Sequence, residues 1–128
     1  MPETTGTKSV LIVEDEQEVR SLLAMVFEME GFTVFQANDA EQALELFQTR
    51  SGDIDAIITD LGLPGLGGIE MIGMMRAMSP TVKIIGASGY GRENVGRKVL
   101  DAGGDLFVPK PFVAMELVQA VRDLMDNK

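Results

Sequence analysis

An α/β fold with a mainly parallel sheet is what this sequence predicts, on three observations. Strand-like apolar runs alternate with stretches of helical period along the whole chain. Four of those runs hand over, at or just past their last residue, to one chemically pointed side chain. The length of 128 residues suits a single domain able to bury its own core.

The elements follow in order. Val10 to Val13 is the first strand and leads into Glu14 and Asp15. Val19, Leu22, Leu23, Val26 and Phe27 recur at helical spacing and predict an amphipathic first helix, with Gly31 placed to end it. Thr33 to Phe35 is a second strand. Asp39, with Gln42 three residues on, reads as the N-cap of a second helix that buries Ala40, Ala43, Leu44 and Phe47. Ile57-Ile58-Thr59 runs to Asp60, and the Gly/Pro-rich stretch Gly62 to Gly68 is a loop. A third helix from about Ile69 to Met78 closes before Pro80.

Val82 to Ile85 is a strand reaching Ser88 through Gly86 and Ala87. The fourth helix, about Arg92 to Ala102, has only Val95, Val99 and Ala102 for an apolar stripe, and Gly96 costs it about 1 kcal/mol against alanine. It is expected to be the most mobile regular element. Leu106-Phe107-Val108 leads through Pro109 to Lys110, and the last helix carries Leu117, Val118, Val121, Leu124 and Met125 on one face. The pattern is (βα)5, without internal repeat, low-complexity tract, linker or second domain. Residues 1–7 lack an apolar h-region and read as a short loose tail, not a secretory signal, ahead of one domain over 8–128.

Composition narrows the chemistry. Cysteine and histidine are both absent, which excludes disulfides, a thiol nucleophile, a Cys/His zinc site and a Ser-His-Asp triad. Any metal must therefore be held by oxygen. A net charge of −9 argues against nucleic-acid and anionic-membrane surfaces, and no run approaches the roughly 18 apolar residues of a membrane span. A cysteine-free chain of this kind fits the cytoplasm.

If the strands are parallel, Glu14, Asp15, Asp60, Ser88 and Lys110 line one edge, the carboxyl ends, where open α/β sheets build their sites. Each pair of carboxylates near 4 Å repels by about 4 kcal/mol at an effective dielectric of about 20, so such a cluster needs positive charge. Lys110 supplies one; a divalent cation such as Mg2+ suits the remainder because it accepts one or two carboxylates together with water and phosphate oxygens. The set fits phosphoryl transfer to a carboxylate. Asp60 attacks phosphorus in line, Lys110 and the cation neutralise two equatorial oxygens, and Ser88 with nearby backbone N–H groups donates to the third.

With Val13-Glu14-Asp15, Asp60 to Gly68, Ala87-Ser88-Gly89 and Lys110-Pro111-Phe112 in this order and spacing, the chain resembles a CheY-like response-regulator receiver domain from Lys8 to its end. The resemblance implies a doubly wound, flavodoxin-like fold with strand order 2-1-3-4-5; receivers are themselves a standard example of that order, so it is not read from periodicity. It implies Asp60 as phospho-acceptor. Asp15 would be the main acidic ligand of Mg2+ (or Mn2+), with Glu14 beside it, completed by Asp60 and the Gly62 carbonyl. Ser88 would be the switch hydroxyl, Lys110 the phosphate-binding lysine in a cis Lys110-Pro111 unit, and Phe107 the switch aromatic that turns inward on activation. The donor would be a histidine kinase or histidine phosphotransfer protein. The output would go to a downstream protein through the face of the fourth helix, fifth strand and fifth helix, from a monomer or a weak phosphorylation-dependent dimer.

There are departures from the family pattern. Glu14 stands where aspartate is commoner and reaches a cation more readily through a water. Ser88 stands where threonine is frequent and Phe107 where tyrosine is; Gly62 and Tyr90 occupy the two positions that the resemblance implies flank the water path to the acceptor.

Plainer readings stand beside these. Taken singly, Asp15 and Asp60 suit helix caps, Ser88 a loop serine, Lys110 a solvated lysine, and Phe107 a core aromatic. Met71, Met74, Met75 and Met78 suit core packing or an adaptable partner surface. Rival functions are an aspartyl-nucleophile phosphatase resembling haloacid dehalogenases, and a receiver-like scaffold that works without phosphorylation. Gly62 occupies the place where the phosphatases have a second aspartate, so the expectation is a switch domain, not a turnover enzyme.

Overall fold

The computed structural model describes residues 8–62, 67–89 and 94–126. Five parallel strands form one sheet in the order β2-β1-β3-β4-β5: β1 Ser9–Val13, β2 Thr33–Ala37, β3 Ala56–Asp60, β4 Lys83–Ser88 and β5 Leu106–Pro109. Between and after them lie α1 Gln17–Met29, α2 Ala40–Arg50, α3 Gly68–Met78, α4 Val95–Ala102 and α5 Ala114–Asp126. Both faces of the sheet are covered, which is why its strands are nearly continuous apolar runs. Val10, Ile12, Ala56, Ile58 and Ile85 point to the face that α1 and α5 cover. Leu11, Val13, Ile57 and Ile84 alternate to the other face, under α2, α3 and α4.

The helix boundaries have local causes. Gly31 has φ 97°, and α1 closes with Gly31 N–H donating to Glu28 O at 3.0 Å and Phe32 N–H to Phe27 O at 3.0 Å. The rings of Phe27 and Phe32 meet edge-on at 5.1 Å, the apolar contact that accompanies this stop. At α2, Asp39 Oδ1 accepts the Gln42 N–H at 2.8 Å while Gln42 Oε1 accepts the Asn38 N–H at 2.7 Å, a reciprocal cap of the expected kind.

Several expectations need correcting. Leu22 is 52% exposed: α1 buries Leu23, Ala24 and Phe27, so Leu22 falls on the outer edge of the stripe, in line with exposed Met25 and Met29. The methionines of α3 divide, Met71 and Met75 fully buried, Met74 and Met78 exposed. Strands β2 and β4 run further than their apolar cores, β4 as far as Ser88, because backbone pairing continues where side-chain alternation does not. A 3-10 turn at Ser51–Asp53 carries no apolar signal. Helix α4 is described from Val95; Arg92, Tyr90, the tail 1–7 and residues 63–66 of the glycine-rich loop lie outside the described residues.

Candidate functional site at the carboxyl edge

Register brings the pointed side chains together. Val13 pairs with Thr59, Asp60 with Ala87, and Ser88 with Pro109, so the residues that close β1, β3, β4 and β5 come level. The chain winds from β1 outward to β2, then returns to build β3, β4 and β5 on the other side. The crevice at that reversal is where such sheets bind ligands. Here a cleft of about 400 Å³ is lined by Glu14, Asp15, Glu16, Asp60, Gly62, Ser88, Gly89 and Lys110.

Lys110 Nζ stands 3.4 Å from Asp60 Oδ1 and 3.6 Å from Glu14 Oε1. Its backbone is set by the Lys110 N–H bond to Ser88 O at 2.9 Å and by the cis Lys110-Pro111 peptide. Burial alone would lower the lysine pKa, but Asp60 and Glu14 outweigh it and hold the ammonium above its ordinary value. Asp60 Oδ1 also accepts the Gly62 N–H at 3.3 Å.

Glu14 is buried and its two oxygens are both engaged, Oε1 with Lys110 and Oε2 with the Glu16 N–H at 3.1 Å. Burial is the largest influence on its carboxyl and raises its pKa. Asp60 adds to that, and the Glu16 N–H and Lys110 only partly offset it. Asp15, by contrast, is exposed at the mouth.

Glu14, Asp15 and Asp60 each offer a carboxylate oxygen, and these lie within 4.8 Å of one another. Mg2+ takes oxygen ligands at about 2.0–2.1 Å in an octahedron, so the three would have to draw closer, or one would have to reach through a water, to share one cation. One lysine against three carboxylates leaves the cluster with negative charge to spare. On donor type, spacing and charge, the residues fit a hard divalent cation.

Three contributors escaped sequence reasoning. The Arg20 guanidinium donates to the Glu14 carbonyl at 2.8 Å and anchors the backbone of the acidic pair; a six-residue separation carries no pattern that would reveal it. Glu16 lines the cleft and supplies the N–H that holds Glu14. Thr59, fully buried next to Asp60, donates to Asp60 O at 3.0 Å.

A family model described as the response regulator receiver domain matches residues 10–122. The chain belongs to that family. Among relatives of this receiver, KdpE of Escherichia coli strain K12 is 41% identical over 114 residues, covering 89% of this chain and 49% of that regulator. Sporulation initiation phosphotransferase F of Bacillus subtilis strain 168 is 30% identical over 121 residues, covering 94% of this chain and 96% of the relative. The receiver spans about half the length of KdpE and 13% of the sensor kinase CckA of Brucella abortus strain 2308. Among solved structures it is similar to the CheX–CheY–BeF3–Mg2+ complex of Borrelia burgdorferi, with a TM-score of 0.88 and 27% identity over 94% of this chain and 92% of that one. No helix among the described residues is long and apolar enough to cross a membrane.

Proposed function

We propose that this receiver accepts a phosphoryl group on Asp60 from a phosphohistidine of a kinase or phosphotransfer protein, and that the acyl phosphate switches its surface. The observation that carries the reading is the Lys110 ammonium 3.4 Å from Asp60 Oδ1, beside three convergent carboxylates and Ser88. A carboxylate oxygen of Asp60 forms the new P–O bond as the donor's P–N bond breaks, and the departing imidazole takes up a proton. Lys110 pairs with one equatorial oxygen and Ser88, at the end of β4, donates to another. A bound Mg2+ or Mn2+, held by Asp15, Asp60, the Gly62 carbonyl and, through a water, Glu14, would neutralise the charge that builds on the transferring group.

The phosphoryl group adds about one to two negative charges at the cleft. Ser88 is drawn toward it, Phe107 turns inward, and the α4–β5–α5 face takes the form that a downstream protein reads. The name and 96% coverage of sporulation initiation phosphotransferase F favour a second use of the same chemistry, passing the group on to another histidine. Turnover on foreign phosphate esters is not part of this reading, since Gly62 offers no acid two residues beyond the acceptor. The net charge of −9 supports protein partners over nucleic acid, and a cysteine-free composition fits work in the cytoplasm.

The test is incubation with a small acyl or amido phosphate and Mg2+, followed by intact mass. One phosphate adduct is expected, lost in Asp60→Asn and on chelation of the metal. No adduct at saturating donor would leave the scaffold reading, and repeated turnover of an aryl phosphate would favour a phosphatase.

A further inference from the structure

Glycine 96 sits in the first turn of an eight-residue helix whose backbone there does not require it, since only Gly31 and Gly103 have positive φ among the described glycines. Its absent side chain does not leave empty space. A Cβ at this position would stand 3.4 Å from Phe107 Cδ2 and 3.6 Å from Phe107 Cβ and Cγ. The phenyl ring therefore rests on the strip of α4 backbone that a side chain at 96 would cover. Phe107 packs against the core under α2, α3 and α4 and is not among the residues lining the acidic cleft. Building on the reading of Phe107 as the switch aromatic, we propose that Gly96 is a positioning residue for that switch. Its bare backbone is the seat that holds the Phe107 ring away from Ser88 in the resting receiver, and a branched side chain there drives the ring inward.

Crowding at this point moves the ring and not the folded helix, because the one firm anchor of α4, Val99, lies close by. Val99 is fully buried, and its methyls fill the room left by two other glycines: a Cβ on Gly104 would lie 2.6 Å from Val99 Cγ1, and one on Gly86 3.0 Å from Val99 Cγ2. Just beyond the helix, Arg76 Nε donates to Gly103 O at 2.8 Å. Gly96 lies three residues, about 4.5 Å along the axis, from Val99. Lifting Gly96 by about one bond length would need a tilt of roughly 20°, which would pull Val99 from its socket. A half-buried phenyl reaches another staggered χ1 well more cheaply. Valine at 96 would place two γ carbons on a Cβ already in contact, with χ1 held to essentially one rotamer in a helix.

The experiment uses the whole chain with fluorinated phenylalanine, the Phe107 signal being assigned by its loss in Phe107→Leu. In Gly96→Val without ligand, the Phe107 fluorine resonance should move toward the position it takes in the wild type with Mg2+ and beryllofluoride. Beryllofluoride should also bind about three- to tenfold tighter, as a larger resting fraction is already switched. Gly96→Ala, adding only a Cβ at contact distance, should give a smaller shift in the same direction. A resting Gly96→Val spectrum with Phe107 at its wild-type position would overturn the proposal. So would amide-exchange data showing α4 lifted around an unmoved ring. If Gly96→Val does not fold, Gly96→Ala decides, its shift supporting the seat and its absence refuting it. The wild type separates this proposal from the reading beneath it. A Phe107 signal unmoved by bound beryllofluoride removes the aromatic from the switch, and failure of beryllofluoride to bind at all removes Asp60 as acceptor. The seat itself is judged on the resting-state shift.

Discussion

At the scale of single residues, burial changes the chemistry of Glu14. Its carboxyl is raised above the ordinary 4.5, burial being the largest cause. Ionised, it is less favourable in the fold than in the unfolded chain. Its contribution therefore opposes folding above the raised pKa, and that opposition is relieved as pH falls from there to 4.5. The same proton competes with a cation for the site. Mg2+ affinity should be full above the raised pKa and fall as pH drops through it, at a higher pH than an exposed glutamate would dictate. Calorimetric titration of Mg2+ between pH 8 and pH 5 should show this decline weakened in Glu14→Gln; equal pH profiles for the two proteins would contradict it. The candidate acids and Lys110 could be picked out of the sequence because each follows a strand. The engagement of both Glu14 oxygens could not, since Glu16 N–H and Lys110 Nζ meet it only once the β1–α1 turn and β5 are in place.

At the scale of elements, two glycines of α3 have opposite meanings. A Cβ on Gly68 would lie 2.8 Å from Leu61 Cα and 2.9 Å from Asp60 O, backbone that cannot give way, so the helix can start this close to the end of β3 only with glycine. Gly68→Ala should destabilise by about 1–3 kcal/mol despite the better helix propensity of alanine. A Cβ on Gly73 would meet only Ala102 O, at 3.8 Å, and Gly73→Ala should stabilise by about 0.5–1 kcal/mol. Denaturant midpoints of the two variants moving the same way would refute the distinction. Helix α4 hangs on a single buried anchor, Val99, which places it while folded but leaves it easier to open than its neighbours. It spans eight residues, buries Val99 alone, and is preceded by Asn94, whose φ of 76° comes without a side-chain cap. Its amides should exchange before those of α1 and α5; equal protection in hydrogen exchange would count against this. The thin stripe of α4 and the Asp39–Gln42 cap were legible from spacing. The exposure of Leu22 was not, because a helical stripe shows which residues share a face and not how far a neighbouring helix extends over it.

At the scale of the molecule, Arg76 ties together parts that no local pattern connects. Its guanidinium donates to Gly103 O and Val82 O, each at 2.8 Å, to Ser79 O at 3.1 Å and to Asp105 Oδ2 at 2.8 Å. Asp105 Oδ2 in turn accepts the Ile84 N–H at 2.8 Å. One side chain thus joins the end of α3, the start of β4 and the turn from α4 into β5, at the edge of the sheet opposite the acidic cleft. Arg76→Met keeps much of the stem and removes every donor, leaving several carbonyls and a carboxylate short of partners. A loss of about 2–3 kcal/mol is expected. Urea unfolding that places Arg76→Met within 0.5 kcal/mol of the wild type, about the scatter of surface substitutions, would show that water replaces these bonds.

By itself the sequence determined the order of strands and helices and the residues that close each strand. Those depend on side-chain period and on local turn chemistry, which any short window of the chain contains. Tertiary structure alone decided how close Lys110 comes to Asp60, which oxygen of Glu14 it faces, and that the Phe107 ring lies on Gly96. Those contacts join residues 11 to 96 positions apart, and nothing but the strand register and the packing of helices against the sheet sets their distances.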